Sequence, residues 1–245
     1  MLTGHPGLTL DEIRDELATD QGIKVHRASV GTWLHRLGLS HKKTLLAGEI
    51  RRLEVAKARH IWRAHRQPFM RNMLEWLAFI DMTSLKTNLI KTTGRAPVGE
   101  RLIRHAPFGH CNTQTFIAAL RHDRLDAPWV IDGPINRELF DLSVQTRLIP
   151  TLRRGDVVIL DNLSNHKSLK AAALLQDIGA WFLCLPPCCP DVNPIEMAFA
   201  RLKTLIRKAA ARTCDTLWQT VGHVCDLFTE QECNNYFEAA EYETN

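Results

Sequence analysis

Apolar positions recur along the chain with two periods, and the change between them divides it. Leu10, Ile13 and Leu17 share one helical face behind Thr9 and Glu12, whose spacing is that of a capping box. A short amphipathic helix is predicted from Thr9 to about Asp20, ended by Gly22. Ser29 as cap, with Val30, Leu34 and Leu37 at helical spacing and Gly38 as stop, predicts a second helix. Residues 49–66 read as a basic helix with Ile50, Leu53, Ile61 and Ala64 on its apolar side, closed by Gln67-Pro68. Beyond it the pattern becomes strands separated by helices. Strands are predicted at 76–80, 113–120, 129–131, 157–160 and 181–185, with a possible hairpin strand in 94–109. The intervening helices are 136–149, with Ile135, Leu139, Leu142 and Ile149 inward, and 169–178, while Asn193-Pro194 opens a long one. The sum is an α/β fold, a mixed sheet flanked by helices and preceded by a small all-α module.

The two leading helices form a helix-turn-helix pattern that would present Arg27, Ser29, Thr32, His35 and Arg36, followed by Lys42 and Lys43, to a major groove. Charge supports that direction more by its distribution than by its sum of +4. Residues 41–66 hold eight Lys or Arg against two Glu, and residues 201–212, including Arg201 and Lys203, hold five basic residues and no acid. Such stretches suit a polyanion, since each neutralised phosphate releases counterions, although solvated helix faces carry the same pattern. The module also has a defect. Leu10, Ile13, Leu17, Val30, Trp33, Leu34 and Leu37 need more cover than two helices supply, so residues 1–40 are expected to be marginally folded alone.

At 245 residues the chain can bury a sizeable core, and no apolar run approaches the roughly 18 residues of a membrane span. The start lacks the pattern of a signal peptide, which points to a cytoplasmic protein. Seven cysteines without a C-x-x-C pair are expected to be reduced thiols.

Two predicted strands run directly into a carboxylate, Asp81 and Asp161, and a third acid, Glu196, lies in the first turn of the helix opened by Asn193. Strand ends are where open α/β sheets place ligands. Three acids gathered there would repel one another unless a cation offsets them, which suits a hard divalent metal and two-metal phosphoryl transfer. The bland alternatives are that Asp161 caps a loop and Glu196 completes a capping box with Asn193, and Asp132 is a fourth strand-end acid. Residues 94–101 imitate a phosphate loop but carry Glu100-Arg101 where Lys-Ser/Thr is needed. There is no G-x-S-x-G and no H-E-x-x-H.

The block Asp161-Asn162-Leu163-Ser164-Asn165-His166-Lys167 and the block Pro190-Asp191-Val192-Asn193-Pro194-Ile195-Glu196, with 34 residues between Asp161 and Glu196, together resemble the mariner superfamily of DDE transposases, closest to its bacterial insertion-sequence branch. Phe79-Ile80-Asp81, the 94–101 segment and Trp129 to Asn136 look like further family segments, and the resemblance spans about residues 68–240. It implies a ribonuclease H-like fold with Asp81, Asp161 and Glu196 as catalytic, metal-binding residues, Asn162, His166 and Asn193 supporting them, and Asp132 outside the triad. It implies two Mg2+ ions with Mn2+ able to substitute, and cutting and joining of DNA at terminal inverted repeats with insertion at a TA target. A homodimer on DNA, nucleoid-associated in a bacterial cytoplasm, follows from the same resemblance. The implied domains are a partial DNA-binding module at 1–47, a basic linker helix at 48–67 and a catalytic domain at 68–245.

Two departures stand near the site. Met82 replaces the Glu common after the first Asp, and Cys188-Cys189 replaces the usual Tyr-Ser. Relatives carry two helix-turn-helix units where one is visible here, so the chain resembles the downstream frame of a two-frame element. The competing reading is a catalytically inactive DNA-binding fragment that represses transposition, and a third is a host ribonuclease H-like nuclease that cleaves without joining strands.

Overall fold

The computed structural model describes residues 9–39, 52–86, 113–161, 168–211 and 213–242. The chain divides into two compact units, residues 1–48 and 49–245.

In the first unit, α1 (Leu10–Asp20) begins at Thr9, whose hydroxyl accepts from the Glu12 N–H while the Glu12 carboxylate accepts from the Thr9 N–H, the expected capping box. Helix α2 (Arg27–Arg36) starts earlier than the sequence suggests: His26, not Ser29, is the cap, its Nδ1 accepting from the Ala28 N–H. An imidazole nitrogen can fill a role that sequence rules reserve for hydroxyls and carboxylates. Only Ile13 and Val30 are buried among the described residues of this unit, while Trp33 is 41% exposed and Leu37 73%.

The second unit begins with α3 (Leu53–Ile61), which continues through a π-helical turn, Trp62–Arg66, into the short α4 (Gln67–Met70). The helix therefore does not close at Gln67-Pro68. Its buried side also differs from expectation: Leu53 and Ile61 are exposed, and Trp62, Gln67 and Met70 are buried instead. The wider turn re-phases the face, which a constant 3.6-residue period does not anticipate.

Five strands follow: β1 (Leu77–Leu85), β2 (Gln114–Leu120), β3 (Leu125–Asp132), β4 (Val157–Leu160) and β5 (Trp181–Cys184). Their order is β3-β2-β1-β4-β5. Strands β1, β4 and β5 are mutually parallel, and β2 and β3 are antiparallel to their neighbours. Unbroken burial of Val157 to Leu160 is that of a central strand covered on both faces.

Two cores lie across the sheet. One side carries Ile80, Ile117 and Val158 against α5 (Arg137–Ser143) and α6 (Leu169–Asp177). On α5 and the π turn after it, Phe140, Val144 and Leu148 point inward, whereas the expected Leu142 is exposed. The other side carries Phe79, Phe116 and Ile159 against α7 (Ile195–Ala209), α8 (Cys214–Cys225) and α9 (Glu230–Ala239). Helix α7 buries Ile195, Ala198, Phe199, Leu202 and Ile206 at helical spacing, and Pro194 is its cap rather than its first residue. Cys184, Cys188, Cys189, Cys225 and Cys233 are free thiols, but Cys214 is disulfide-bonded, contrary to the all-reduced expectation. Pairing depends on proximity in space, which cysteine spacing does not report. Among the described residues no helix is long and apolar enough to cross a membrane.

Candidate active site

Strands β1 and β4 run side by side with Phe79 opposite Ile159 and Ile80 opposite Leu160. The next residues in that register are Asp81 and Asp161. Because side chains alternate across a strand, Asp81 lies on the side of Phe79 and Asp161 on the side of Ile159, the side that packs α7 to α9. Strand β1 does not end at Asp81. It runs on to Leu85, paired with β2, and Asp81 follows the last residue that β1 pairs with β4.

Asp81 is 7% exposed, which is costly for an ionised carboxylate without compensation. One oxygen, Oδ1, accepts from the Met82 N–H at 2.7 Å, and the other, Oδ2, accepts from the Asn193 side-chain amide at 3.0 Å. Asn193 is itself buried and sits between the 3-10 turn Pro190–Val192 and α7. Glu196, exposed and in the first turn of α7, is tied to it by the bond from the Glu196 N–H to the Asn193 carbonyl, 3.2 Å. Thus one side-chain hydrogen bond joins the first strand acid to the segment that carries the third. Asp161 is half-buried just past β4. The expected supporting residues Asn162 and His166 lie outside the described residues, as do Lys42, Lys43 and the 94–109 segment.

Three carboxylates are the all-oxygen donor set that hard divalent cations take. The N–H donors of Met82 and Asn193 help to compensate the burial of the Asp81 carboxylate, and a divalent cation would act in the same sense. In that sense the residues fit a metal. Among the described residues, however, no three His, Cys, Asp or Glu side chains are gathered as a group that could hold an ion. The shared sheet side and the Asn193 bond are what the structure brings together; a closed three-acid cluster is not present. Asp132, at the end of β3, accepts from the Gln114 amide at 2.6 Å, and the Gln114 oxygen accepts from the Trp218 indole at 3.0 Å.

The expected DNA-facing residues fare unevenly. Thr32, His35 and Arg36 are exposed on α2, while Ser29 is half-buried. The Thr32 hydroxyl donates back to the Ala28 carbonyl, and Arg27 lies 3.6 Å from Asp11. On α7, Arg201 is 2.8 Å from the Glu232 carboxylate of α9, an ion pair without hydrogen-bond alignment, and Lys203 is half-buried.

A contact the sequence did not reveal lies beside Asn193. Arg59 of α3 makes a bidentate pair with Asp191, donating from Nη1 at 2.6 Å and also from Nη2, and Arg63 adds a bond to Asp191 at 3.1 Å. Burial pushes the Asp191 carboxyl up, but the Arg59 hydrogen bonds and the charges of Arg59 and Arg63 leave it below its ordinary value. Arg59 is raised in turn by its bonds to Asp191. No short motif could report a pair 132 residues apart.

A search of curated protein sequences finds no match. Among solved structures, the Mos1 transposase paired-end complex with left transposon end is similar at TM-score 0.67 and 12% identity, over 98% of this chain and 73% of that one. The Mos1 mariner paired-end complex with Mn is similar at TM-score 0.63 and 12% identity, over 98% and 74%. The catalytic domain of Mos1 mariner transposase gives TM-score 0.55 at 8% identity, over 83% and 94%. At such identities the likeness establishes the fold, a ribonuclease H-like mixed sheet flanked by helices and preceded by N-terminal helices. The sequence pattern of the DDE superfamily endonuclease family matches residues 76–218, from the residue before β1 into α8. That match covers more than half of the chain and carries Asp81, Asp161 and Glu196 with it, so the protein belongs to the DDE superfamily endonuclease family.

Proposed function

We propose that this chain is a transposase of the bacterial insertion-sequence branch that cleaves and joins DNA strands at the ends of its element, with Asp81, Asp161 and Glu196 holding two divalent ions. The observation that supports the reading is the parallel pairing of β1 and β4 up to Ile80 and Leu160, the residues just before Asp81 and Asp161, with Asn193 bonded to Asp81 at the start of the helix bearing Glu196. Mg2+ is the expected ion, with Mn2+ able to substitute. When bound, such a pair activates the attacking oxygen and stabilises the leaving one.

The chain's own residues prepare that site. The Asn193 amide and the Met82 N–H hold the Asp81 carboxylate in place despite its burial. Glu196 is exposed on the first turn of the helix that follows Asn193. Asn162 and His166 are proposed to support the triad, and Met82 is expected to leave its chemistry intact.

Residues 1–47 are proposed as the DNA-binding module, 48–67 as the linker and 68–245 as the catalytic domain. Arg27, Ser29, Thr32, His35, Arg36, Lys42, Lys43, Arg201 and Lys203 are the proposed DNA contacts, with the Glu232 pair making Arg201 the weakest of them. The likeness to the Mos1 paired-end complex supports the reading of a dimer on terminal inverted repeats for this chain. A bacterial, nucleoid-associated location and a TA target belong to the same proposal.

The test uses the full chain, Mg2+ and a duplex carrying the element's terminal repeat. Metal-dependent nicking followed by strand joining is expected, and D81N, D161N and E196Q should each abolish both. Binding without cleavage at any metal concentration would instead support the repressor reading. Cleavage without joining would support the nuclease reading.

A further inference from the structure

Among the described residues, the linker helix holds two segments of the catalytic unit, the end of α9 and the turn that precedes Glu196. Arg59 and Arg63 grip the Asp191 side chain. One residue on, the Val192 carbonyl accepts from the Tyr242 hydroxyl at 2.9 Å, and that hydroxyl accepts from the Trp62 indole N–H at 3.0 Å. Trp62, Tyr242 and Val192 are all buried. Gln67 and Arg71 donate to the Ala240 and Glu241 carbonyls, fixing the same helix to the end of α9. The next residue after Val192 is Asn193, whose amide holds Asp81.

We infer that Arg59 is a positioning residue for the active site: through its bidentate pair with Asp191 it fixes the 3-10 turn that sets Asn193 against Asp81 and Glu196 at the mouth of α7. The inference rests on the reading of Asp81, Asp161 and Glu196 as the metal-holding acids. A planar guanidinium fork on a carboxylate constrains direction as well as distance, so the pair specifies the turn's orientation and not only its attachment. Arg59 is the better anchored of the two arginines, its side chain 17% exposed against 38% for Arg63, which is shared with Glu241. A strand acid, a turn and the linker between the two proposed domains are thereby one connected unit, and a change in the linker's seating would be felt at Asn193 two residues from Asp191.

The competing explanation is simple charge. Arg59 is a cation near the acids and Asp191 an anion, so if they act only through their fields, R59Q should strengthen divalent binding and D191N should weaken it. Positioning makes the opposite demand: both substitutions break the same pair, so both should weaken binding, and R59Q/D191N, which leaves net charge unchanged, should be no worse than either alone. R59K keeps the charge but loses the fork, so it should fall between wild type and R59Q.

The experiment is a double-mutant cycle on the full chain with two readouts: Mn2+ affinity of the protein by titration calorimetry, and the single-turnover cleavage rate at saturating duplex. About a tenfold loss of Mn2+ affinity and of cleavage rate is expected in all three variants, the usual effect of removing a partner that orients a metal ligand. The KM for duplex should stay within about twofold, since the interactions lost act on the acids and not on the bound strand. Opposite-signed changes in Mn2+ affinity, unchanged affinity and rate in R59Q, or effects that multiply in the double variant would each overturn the positioning role. If wild type binds Mn2+ but cleaves no duplex, the transposase reading falls while the calorimetric cycle still decides the inference. If wild type binds no Mn2+, both fall.

Discussion

Tyr242→Phe should destabilise the protein far more than the loss of one oxygen suggests. The Tyr242 hydroxyl accepts from the Trp62 indole and donates to the Val192 carbonyl, and all three residues are within 1% of complete burial. Its ring packs edge-on against Phe79 at 5.0 Å and Phe237 at 6.2 Å, contacts that phenylalanine keeps. The substitution therefore isolates the hydrogen bonds. It takes that partner from one buried donor and one buried acceptor, each worth about 1–3 kcal/mol when left unsatisfied, so the expected loss is roughly 2–4 kcal/mol. For a chain of this size that is a fall in Tm of roughly 5–15 °C. Urea unfolding followed by tryptophan fluorescence checks it, with W62F/Y242F as the control. In the double variant the indole donor is gone, so its loss should be about 1 kcal/mol smaller than the sum of the two singles. A Y242F midpoint within error of wild type, or strict additivity with W62F, would refute the reasoning.

Gly155 adopts φ +98°, and a Cβ there would lie 2.5 Å from Trp76 Cζ3, so G155A should cost at least ~2 kcal/mol by urea unfolding through strain and overpacking. Asp191, held below its ordinary carboxyl value of 3.8, contributes stability that is present above that value and lost as pH falls through its folded pKa. D191N should therefore lose stability at pH 7 but converge with wild type in acid unfolding once the pH falls below the folded pKa of Asp191. Burial pushes the Cys225 and Cys233 thiols up to about 12, with Asp226 and Glu232 adding to the respective shifts. Both should resist iodoacetamide at pH 8 in the folded chain and react once it is unfolded, as mass spectrometry of the alkylated peptides would show; because their folded pKa values are raised, their contribution to stability is expected to decline as pH rises from 9 toward 12.

What the sequence made legible was local and repetitive. Unbroken apolar runs announced β1 and β4, whose pairing ends just before Asp81 and Asp161, although β1 itself runs on to Leu85 rather than ending at its acid. Thr9 with Glu12 announced α1 correctly because both halves of a capping box lie within four residues. Helices α8 and α9 went unread although their patterns are present: Thr213 caps Leu217, Val221 and Val224, and Thr229 caps Cys233 and Phe237. Around the linker the failure had a physical cause. The π turn at Trp62 to Arg66 re-phases the helix, and the residues that hold it, Asp191, Val192, Ala240 and Tyr242, are more than a hundred positions away. Asn193 was legible only through its motif. That its amide binds Asp81 required the fold.

The central claim is that Asp81, Asp161 and Glu196 jointly hold divalent ions. Crystals of the full chain soaked in Mn2+ and measured at the manganese absorption edge test it most directly. Anomalous peaks about 4 Å apart, contacted by oxygens of all three residues in wild type and lost in D81N, are the predicted result. Peaks bound elsewhere, or a wild-type site in which Glu196 or Asp161 takes no part, would contradict it.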